Sequence, residues 1–581
     1  MRNLFLSVMT AVTAILIAAS SCPATAATLP DGDPAIQFKS KRGARSTESD
    51  RYLRVYLKSA VAGKTFYLAI DEDTVVEYSM TKAATLYSYK LTLDKEEVTV
   101  RIYGDSISFI NFNTMDAYDV VVGEDGKNTI EELRCQNDSI TSLDFINDMR
   151  ALTYIYAGNN NQLTEVNIKS DVLERCVLNS QETVESITVE GSKIYEFDFT
   201  DNEAVDSIDL SNCPALETVT MTSCTALKSL KLGTHEALNK VQLTYSLVDT
   251  LVFQNFPALK TLTLNYNSNL KSIEVTNCPA LVYLYLTDTG FDSLSLSNLP
   301  ALLTLRVNGA PLQSLDLDLE TLSLFYCDET PLTSLDLSGL PALKTLYARY
   351  GVLESITLSE TAYANTLTYM YLAENNLPLS EIPPRGPKMS TSTNYYAPQN
   401  PIDLGTDVSV GQKIDLSKYS YGRIYGTDSV TASSFSFITK FEEDLVAGTD
   451  YQITDGVVTF LKTCEDSVQL VVTNETYDWF KLYTSSGTTY DYRLVSKYFV
   501  INEATTGITS VETPAAAVVT ARGARQVAVK NAQGEAITVY DISGRTVARA
   551  SGCDDNTTIT LPASGVYIVA VGNSRHKVLV R

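Results

Sequence analysis

The chain has 581 residues, 44% of them hydrophobic, with 34 Tyr against one Trp and two His and a net charge of −24 at pH 7. That length predicts several domains, and the acidic stretch from 129 to 377, which has no basic clusters, is a poor partner for DNA, RNA or an anionic membrane. With only His235 and His576, one in the repeats and one in the tail, a Ser-His-Asp or Cys-His arrangement has no obvious base.

At the amino terminus, Arg2, the apolar run Leu4 to Ala19 and the small-x-small triplet Ala24-Thr25-Ala26 predict a secretory signal peptide over 1–26. The apolar run is broken by Ser7, Thr10 and Thr13 and is shorter than the ~20 residues needed to span a bilayer. Ser20-Ser21-Cys22 offers a lipidation site, although Ala19 stands where such a signal has Leu. Residues 27–50, which contain Lys39-Ser40-Lys41-Arg42-Gly43-Ala44-Arg45, read as a solvated linker. Tyr52 to Leu57, Thr65 to Ile70 and Val98 to Tyr103 read as strands of a small β domain or cap over 51–104.

One phrase then recurs. Apolar anchors fall at Leu143, Val166, Ile187, Ile208, Leu230, Leu251, Ile273, Leu294, Leu315, Leu335 and Ile356, ten steps averaging about 21.3 residues. An offset series fills the gaps: Leu133, Ile155, Cys176, Phe197, Val219, Val241, Leu262, Leu284, Leu305, Leu322, Leu346 and Met370. Ile107 to Phe112 reads as the first rung, its Ile110 lying 23 residues before Leu133. This phrasing resembles a leucine-rich-repeat solenoid, which implies a right-handed stack of about 12 coils over 105–378, a parallel β-sheet on the concave face, and all-β domains on either side.

A lone coil does not fold. Burying Leu335, Leu337, Leu340, Leu343, Leu346, Ala348 and Leu353 yields on the order of 10 to 20 kcal/mol gross, whereas ordering the coil backbone costs roughly 20 to 40 kcal/mol. Stacking lets each coil cover its neighbours' apolar edges. The spacing from Leu305 to Leu322 to Leu346, 17 and then 24 residues, reads as an irregular coil with extra residues around Phe325 to Pro331.

Period-two alternation places Leu346 and Ala348 inward and Tyr347 and Arg349 outward. Along the rungs the same rule puts Tyr154, Tyr156, Thr218, Thr220, Gln242, Thr263, Asn265, Tyr283, Tyr285, Arg306, Asn308, Phe325, Tyr347, Arg349, Tyr369 and Tyr371 on the outer face of the sheet. From 129 to 377 there are 32 acidic and 13 basic side chains, a net −19, mostly away from this strip. Tyr and Thr are good exposed strand residues. They are also what protein and sugar partners bind, because Tyr offers a large rigid surface with a hydroxyl at its tip. Tyr154/Tyr156, Tyr283/Tyr285 and Tyr369/Tyr371 read as separated anchors, with Arg306, Tyr347 and Arg349 as further ligand contacts.

Eight cysteines remain beyond the signal. Cys135 and Cys176 replace inward strand residues, Cys213 and Cys278 recur in Asn-Cys-Pro-Ala-Leu, and Cys224 and Cys327 fall where this kind of repeat often has Asn. On different coils, with no histidine near, they read as small core hydrophobes and neither as a disulfide framework nor as metal ligands. Cys464 and Cys553 lie singly in later domains.

Leu133-Arg134-Cys135 leading to Ile140-Thr141-Ser142-Leu143-Asp144 resembles the internalin-type repeats of bacterial surface proteins, which implies adhesion or partner binding. After Leu377, six prolines from Pro378 to Pro401 predict a linker or cap over 379–401. Residues 402–505 return to short strands around Val457 to Leu461 and Val468 to Thr473, and resemble the immunoglobulin-like sandwiches that follow such solenoids. A second linker over 506–520 holds Pro514-Ala515-Ala516-Ala517.

In 521–581, Tyr540-Asp541-Ile542-Ser543-Gly544-Arg545, Gly565-Val566-Tyr567-Ile568-Val569 and Lys577-Val578-Leu579-Val580 resemble the carboxy-terminal sorting domain of type IX secretion substrates. That implies passage across the outer membrane of a Gram-negative bacterium and the type IX machinery as a partner. Asp-Ser/Thr-aliphatic triplets, as at Asp206, Asp249 and Asp292, resemble the O-glycosylation acceptor of the same bacteria, and also suit ordinary turns. The expectation is a non-enzymatic, cofactor-free surface protein binding a protein ligand along the concave face. A glycan-binding or glycan-processing component is the alternative.

Overall fold

The computed structural model describes residues 25–580 except 46, 48–50, 92–94, 384, 390–395, 424–428, 478–480, 484–488, 492, 505–517, 522–524, 531, 533–534, 552–555 and 572–573. Of the expected signal peptide only Thr25–Ala26 is described, as a short strand paired antiparallel with Glu77 and Val76, while Cys22, Cys553 and the Pro-Ala-Ala-Ala linker lie outside the described residues. The chain divides into two compact units. One holds 1–406, 414–458 and 466–500, the other 407–413, 459–465 and 501–581.

The first unit is built on a parallel β-solenoid. Thirteen short strands, from Ile107–Asn111 to Tyr369–Tyr371, lie side by side in one sheet, and the anchor of each pairs with the next: Ile110 with Leu133, Leu133 with Ile155, and so on to Leu346 with Met370. All these anchors are buried. On the opposite side the second series forms two-stranded parallel ribbons, such as Glu165–Lys169 with Ser186–Glu190 and Thr250–Gln254 with Ser272–Thr276. Each turn therefore hides leucines from two walls against those of its neighbours.

One rung departs from the expected spacing. Phe325 pairs with Leu305 and with Leu346, at steps of 20 and 21 residues, so this coil carries no insertion. Leu322 takes the place that Leu302 and Leu343 hold three residues ahead of the anchors Leu305 and Leu346, and all three are buried. Phe325 is consequently fully buried, contrary to its expected outward position, and Tyr326 takes the outer face. Cys327 sits at the second inward position, and Thr330 takes the place often held by Asn, donating its hydroxyl to the Cys327 carbonyl.

Two polar columns hold the corner after each rung. Asn160, Gln181, Asn202, Asn267 and Asn375 are buried there. Asn267 donates to the Leu243 and Leu264 carbonyls (2.9 and 2.8 Å) and accepts from the Ser246 amide and hydroxyl (2.8 Å each), so every polar edge is used. One residue earlier, each turn has a backbone φ between 52° and 67°: Thr114, Asn137, Asn159, Ser180, Asp201, Ser223, Tyr245, Tyr266, Asp288, Gly309, Glu329, Tyr350 and Glu374. Asn, Asp and Gly tolerate this left-handed region best, and bulky side chains resist it.

Both sheet edges are covered. At the amino end, Tyr52–Ser59 pairs antiparallel with the first rung and with Thr85–Lys90. Behind it a six-stranded sheet includes Ile36–Ser40, whose Ile36, Phe38 and Ser40 are buried. The expected linker over 27–50 is thus partly core. Its basic run folds because Arg42, largely buried, donates to the Tyr52 and Thr114 carbonyls. At the other end, the described residues of 378–401 form a cap: Gln399 donates to the Leu372 carbonyl (2.8 Å), continuing the corner column, and Tyr396 is fully buried.

Within the same unit, Ser434–Thr439 pairs antiparallel with Val468–Thr473 around Phe437 and Leu470. The Tyr477 hydroxyl donates to the Leu379 and Ile382 carbonyls (2.6 and 3.1 Å), tying this β-rich module to the cap. The second unit contains two antiparallel sheets over 518–580 packed on Val527, Val529, Ile537, Val539, Val569 and Val580. In it, Tyr540 to Arg545 is a hairpin turn: Asp541 accepts from the Ser543 amide and hydroxyl and from the Arg545 amide, and Gly544 has φ +84°.

Candidate functional site

The outer face of the long sheet carries two side-chain columns, because each three-residue rung turns its middle residue inward. In register, the second column runs Tyr285, Arg306, Tyr326, Tyr347, Tyr371. Parallel strands lie about 4.8 Å apart, so flat groups in one column stack. The Arg306 guanidinium lies 5.6 Å from the Tyr285 ring and 4.3 Å from that of Tyr326. Tyr326 stacks on Tyr347 at 4.7 Å, and Tyr347 on Tyr371 at 4.3 Å. Tyr283 lies against Tyr285 at 6.2 Å, while Tyr283 and Tyr369 are exposed in the first column.

Tyr283/Tyr285 and Tyr369/Tyr371 are therefore not separate clusters. Arg306, Tyr326 and Tyr347 join them into one surface five rungs long. Tyr326 was concealed by the register ambiguity at Leu322. Aligning the upstream Leu302, Leu322 and Leu343 would have exposed it.

Arg349 borders the stack. Its Nη2 meets Asp328 Oδ2 at 2.7 Å, and its guanidinium lies 5.1 Å from the Tyr347 ring and 5.3 Å from that of Tyr350. The Asp328 carboxylate raises its pKa above the ordinary arginine value. Arg306, by contrast, is exposed and makes no ion pair with a described carboxylate.

Tyr154 and Tyr156 lie at the other end of the sheet in a different setting. Arg175 sits 4.4 Å and Arg134 5.6 Å from the Tyr154 ring. Each arginine is neutralised, Arg175 by Glu196 (2.7 Å) and Arg134 by Glu132 (2.6 Å). Burial raises the Tyr154 pKa, so the phenol stays protonated. This end is a closed ion-pair network, and the carboxy-terminal end is the one with a cation to spare.

His235 is almost fully buried and stacks 6.4 Å from Phe256. Burial lowers its pKa. Among the described residues no three His, Cys, Asp or Glu side chains gather closely enough to hold a metal ion, and no helix is long and apolar enough to cross a membrane. Cys135, Cys176, Cys213, Cys224, Cys278 and Cys327 are free thiols in the core. Ser207, Thr250 and Ser293, in the three Asp-Ser/Thr triplets spaced 43 residues apart, are exposed where the ribbons opposite the long sheet begin.

Residues 505–580 match a family described as a domain of unknown function, DUF6383. No curated protein matches the chain. Among solved structures, the functional domain of InlJ from Listeria monocytogenes, which includes a cysteine ladder, is 15% identical over 66% of this chain and 93% of that one, with a TM-score of 0.30. An internalin, inlF, from Listeria monocytogenes is 18% identical over 47% of this chain and 88% of that one, at TM-score 0.24. The leucine-rich repeat domain of APL1B is 16% identical over 46% and 76%, at 0.28. Such scores mark a weak likeness and transfer no property of those proteins to this chain.

Proposed function

We propose that this is a non-enzymatic recognition protein, exported to the surface of a Gram-negative bacterium, that binds a protein ligand on the outer face of its long sheet. The observation that carries it is the stack of Tyr285, Arg306, Tyr326, Tyr347 and Tyr371. Tyr and Arg dominate binding energy at protein interfaces, and a stack anchored on thirteen rungs loses little freedom when a partner docks. Tyr283, Tyr369 and Arg349 extend the contact area, and Tyr154 and Tyr156 offer a secondary patch. The amino-terminal signal and the tail motifs support export through the type IX machinery, and the internalin-type phrasing of the repeats supports adhesion or partner binding.

The test is to pan a displayed library of folded protein domains on the full chain and on a Tyr326→Ala/Tyr347→Ala variant. Selected binders should lose roughly 30-fold or more in affinity for the variant, the scale of a truncated interface anchor, with an unchanged circular dichroism spectrum. Binders indifferent to both substitutions would place recognition elsewhere.

A further inference from the structure

The left-handed corner column contains a feature that the fold does not require. At twelve of its thirteen positions the residue has a side chain, and at Tyr245 (φ 55°) and Tyr266 (φ 62°) that side chain is bulky and aromatic where neighbouring turns place Ser223 and Asp288. The two rings lie parallel, 4.7 Å apart with planes 6° from each other, and they are 48% and 43% exposed. Tyr350, the third tyrosine of the column, is accounted for by the Arg349 guanidinium against its ring. Tyr245 and Tyr266 stack on each other alone among the described residues. A strained backbone carrying an exposed aromatic pair is the kind of outlier that marks a ligand site.

We propose that Tyr245 and Tyr266 form a saccharide-binding platform, separate from the stack around Arg306, that takes a pyranose ring of a neutral glycan. The column advances by one strand spacing per turn, about 4.8 Å. A ring seated over Ser223 would continue the stack at the separation the tyrosines already keep, and the serine is too short to fill that place itself. On the far side, the Asp288 carboxylate leans over Gly309, where an added Cβ would meet its Oδ1 at 2.0 Å, turning it away from Tyr266.

The chemistry of the flanks selects the ligand. A pyranose offers a face of C–H bonds to an aromatic ring and a rim of hydroxyl donors. Asp201 and Ser223, on the side where that ring would sit, supply acceptors for its rim, and the adjoining strand positions Gln242 and Thr263 add an amide and a hydroxyl.

The full chain is tested by affinity electrophoresis and calorimetry against laminarin, xylan, galactomannan and glycogen, alongside Tyr245→Asn/Tyr266→Asn and Tyr245→Phe/Tyr266→Phe variants. At least one polysaccharide should bind. The Asn pair should weaken it tenfold or more, while its melting temperature holds or rises by on the order of 1–2 °C, because Asn suits positive φ better than Tyr. The Phe pair should retain most of the binding. Absence of binding to all four polysaccharides overturns the proposal, as does binding indifferent to the Asn pair. A fall in melting temperature for the Asn pair would make the tyrosines structural and overturn it equally. Protein binding at Tyr326 and Tyr347 should be untouched by these substitutions, so the two sites fail or stand separately.

Discussion

Asp328 binds Arg349 twice across adjacent turns: its Oδ1 accepts the Arg349 backbone amide at 2.7 Å while its Oδ2 meets Nη2 at 2.7 Å. One nearly buried carboxylate thus fixes both the corner of the next coil and the guanidinium beside Tyr347. Asp328→Ala should cost about 2 kcal/mol, since it strips a partly buried amide and a cation of their partner together. Arg349→Ala should cost less, because the amide contact survives. Urea denaturation of both variants and the double variant checks this, and equal losses for the two single changes would contradict it.

The corner column makes a sharper stability prediction. Asn267 uses both amide edges on Leu243, Leu264 and Ser246 with no exposed surface. Asn267→Ala should therefore destabilise the solenoid by about 2 to 3 kcal/mol, leaving two carbonyls and an amide unpaired. Asn267→Asp should cost more, since a carboxylate would face the same carbonyls. Thr289→Val, one turn later, removes only a hydroxyl bonded to the Leu286 carbonyl and should cost about 1 kcal/mol. A shift in urea midpoint that ranks Val below Ala below Asp is the expected result.

The repeat was legible because burial on two walls leaves two periodic series, and Leu133 and Leu143 with their successors carry both. The first rung at Ile110 was visible for the same reason. Leu322-Ser323-Leu324-Phe325 was not, because three apolar residues in four fit the phrase in two registers, and pairing with Leu305 and Leu346 decides between them. Ile36–Ser40 was hidden by Lys39, Lys41 and Arg42, whose charges read as solvent exposure although Arg42 is satisfied by backbone carbonyls. The aromatic stack was half legible: alternation marks Tyr285, Arg306, Tyr347 and Tyr371 as outward, but only register shows that they are consecutive. Tyr245 and Tyr266 leave a sequence signal too, two consecutive tyrosines in a column otherwise made, apart from Tyr350, of Thr, Asn, Ser, Asp, Gly and Glu, which becomes visible once the turns are aligned on their corners.

Thiol chemistry separates core from surface. Burial pushes Cys213 up to about 11 and Cys224 to about 12, and Cys135 and Cys327 well above the ordinary thiol value. Thiolate is the reactive form. At pH 8 the six solenoid cysteines should resist Ellman's reagent in the native protein and react together after denaturation. Early labelling of Cys224 or Cys327, located by peptide mass spectrometry, would show that the coils open locally.

Acid should weaken the solenoid through His235. Buried against Phe256, the imidazole has a folded pKa below its ordinary value of about 6.5. The unfolded chain therefore binds a proton that the folded chain refuses. The stability this group contributes is complete above about pH 6.5 and declines below it, by at most about 1.4 kcal/mol per pH unit, until the folded pKa is reached. His235→Phe keeps the ring and removes the titration. Urea midpoints at pH 7.5 and 5.5 should show the native chain losing more than the variant, by at most about 1.4 kcal/mol. Asp138, whose carboxyl burial pushes upward and which therefore acts in the opposite sense as pH falls, is present in both proteins and cancels in the difference. Equal losses would mean that His235 takes up its proton without leaving the core.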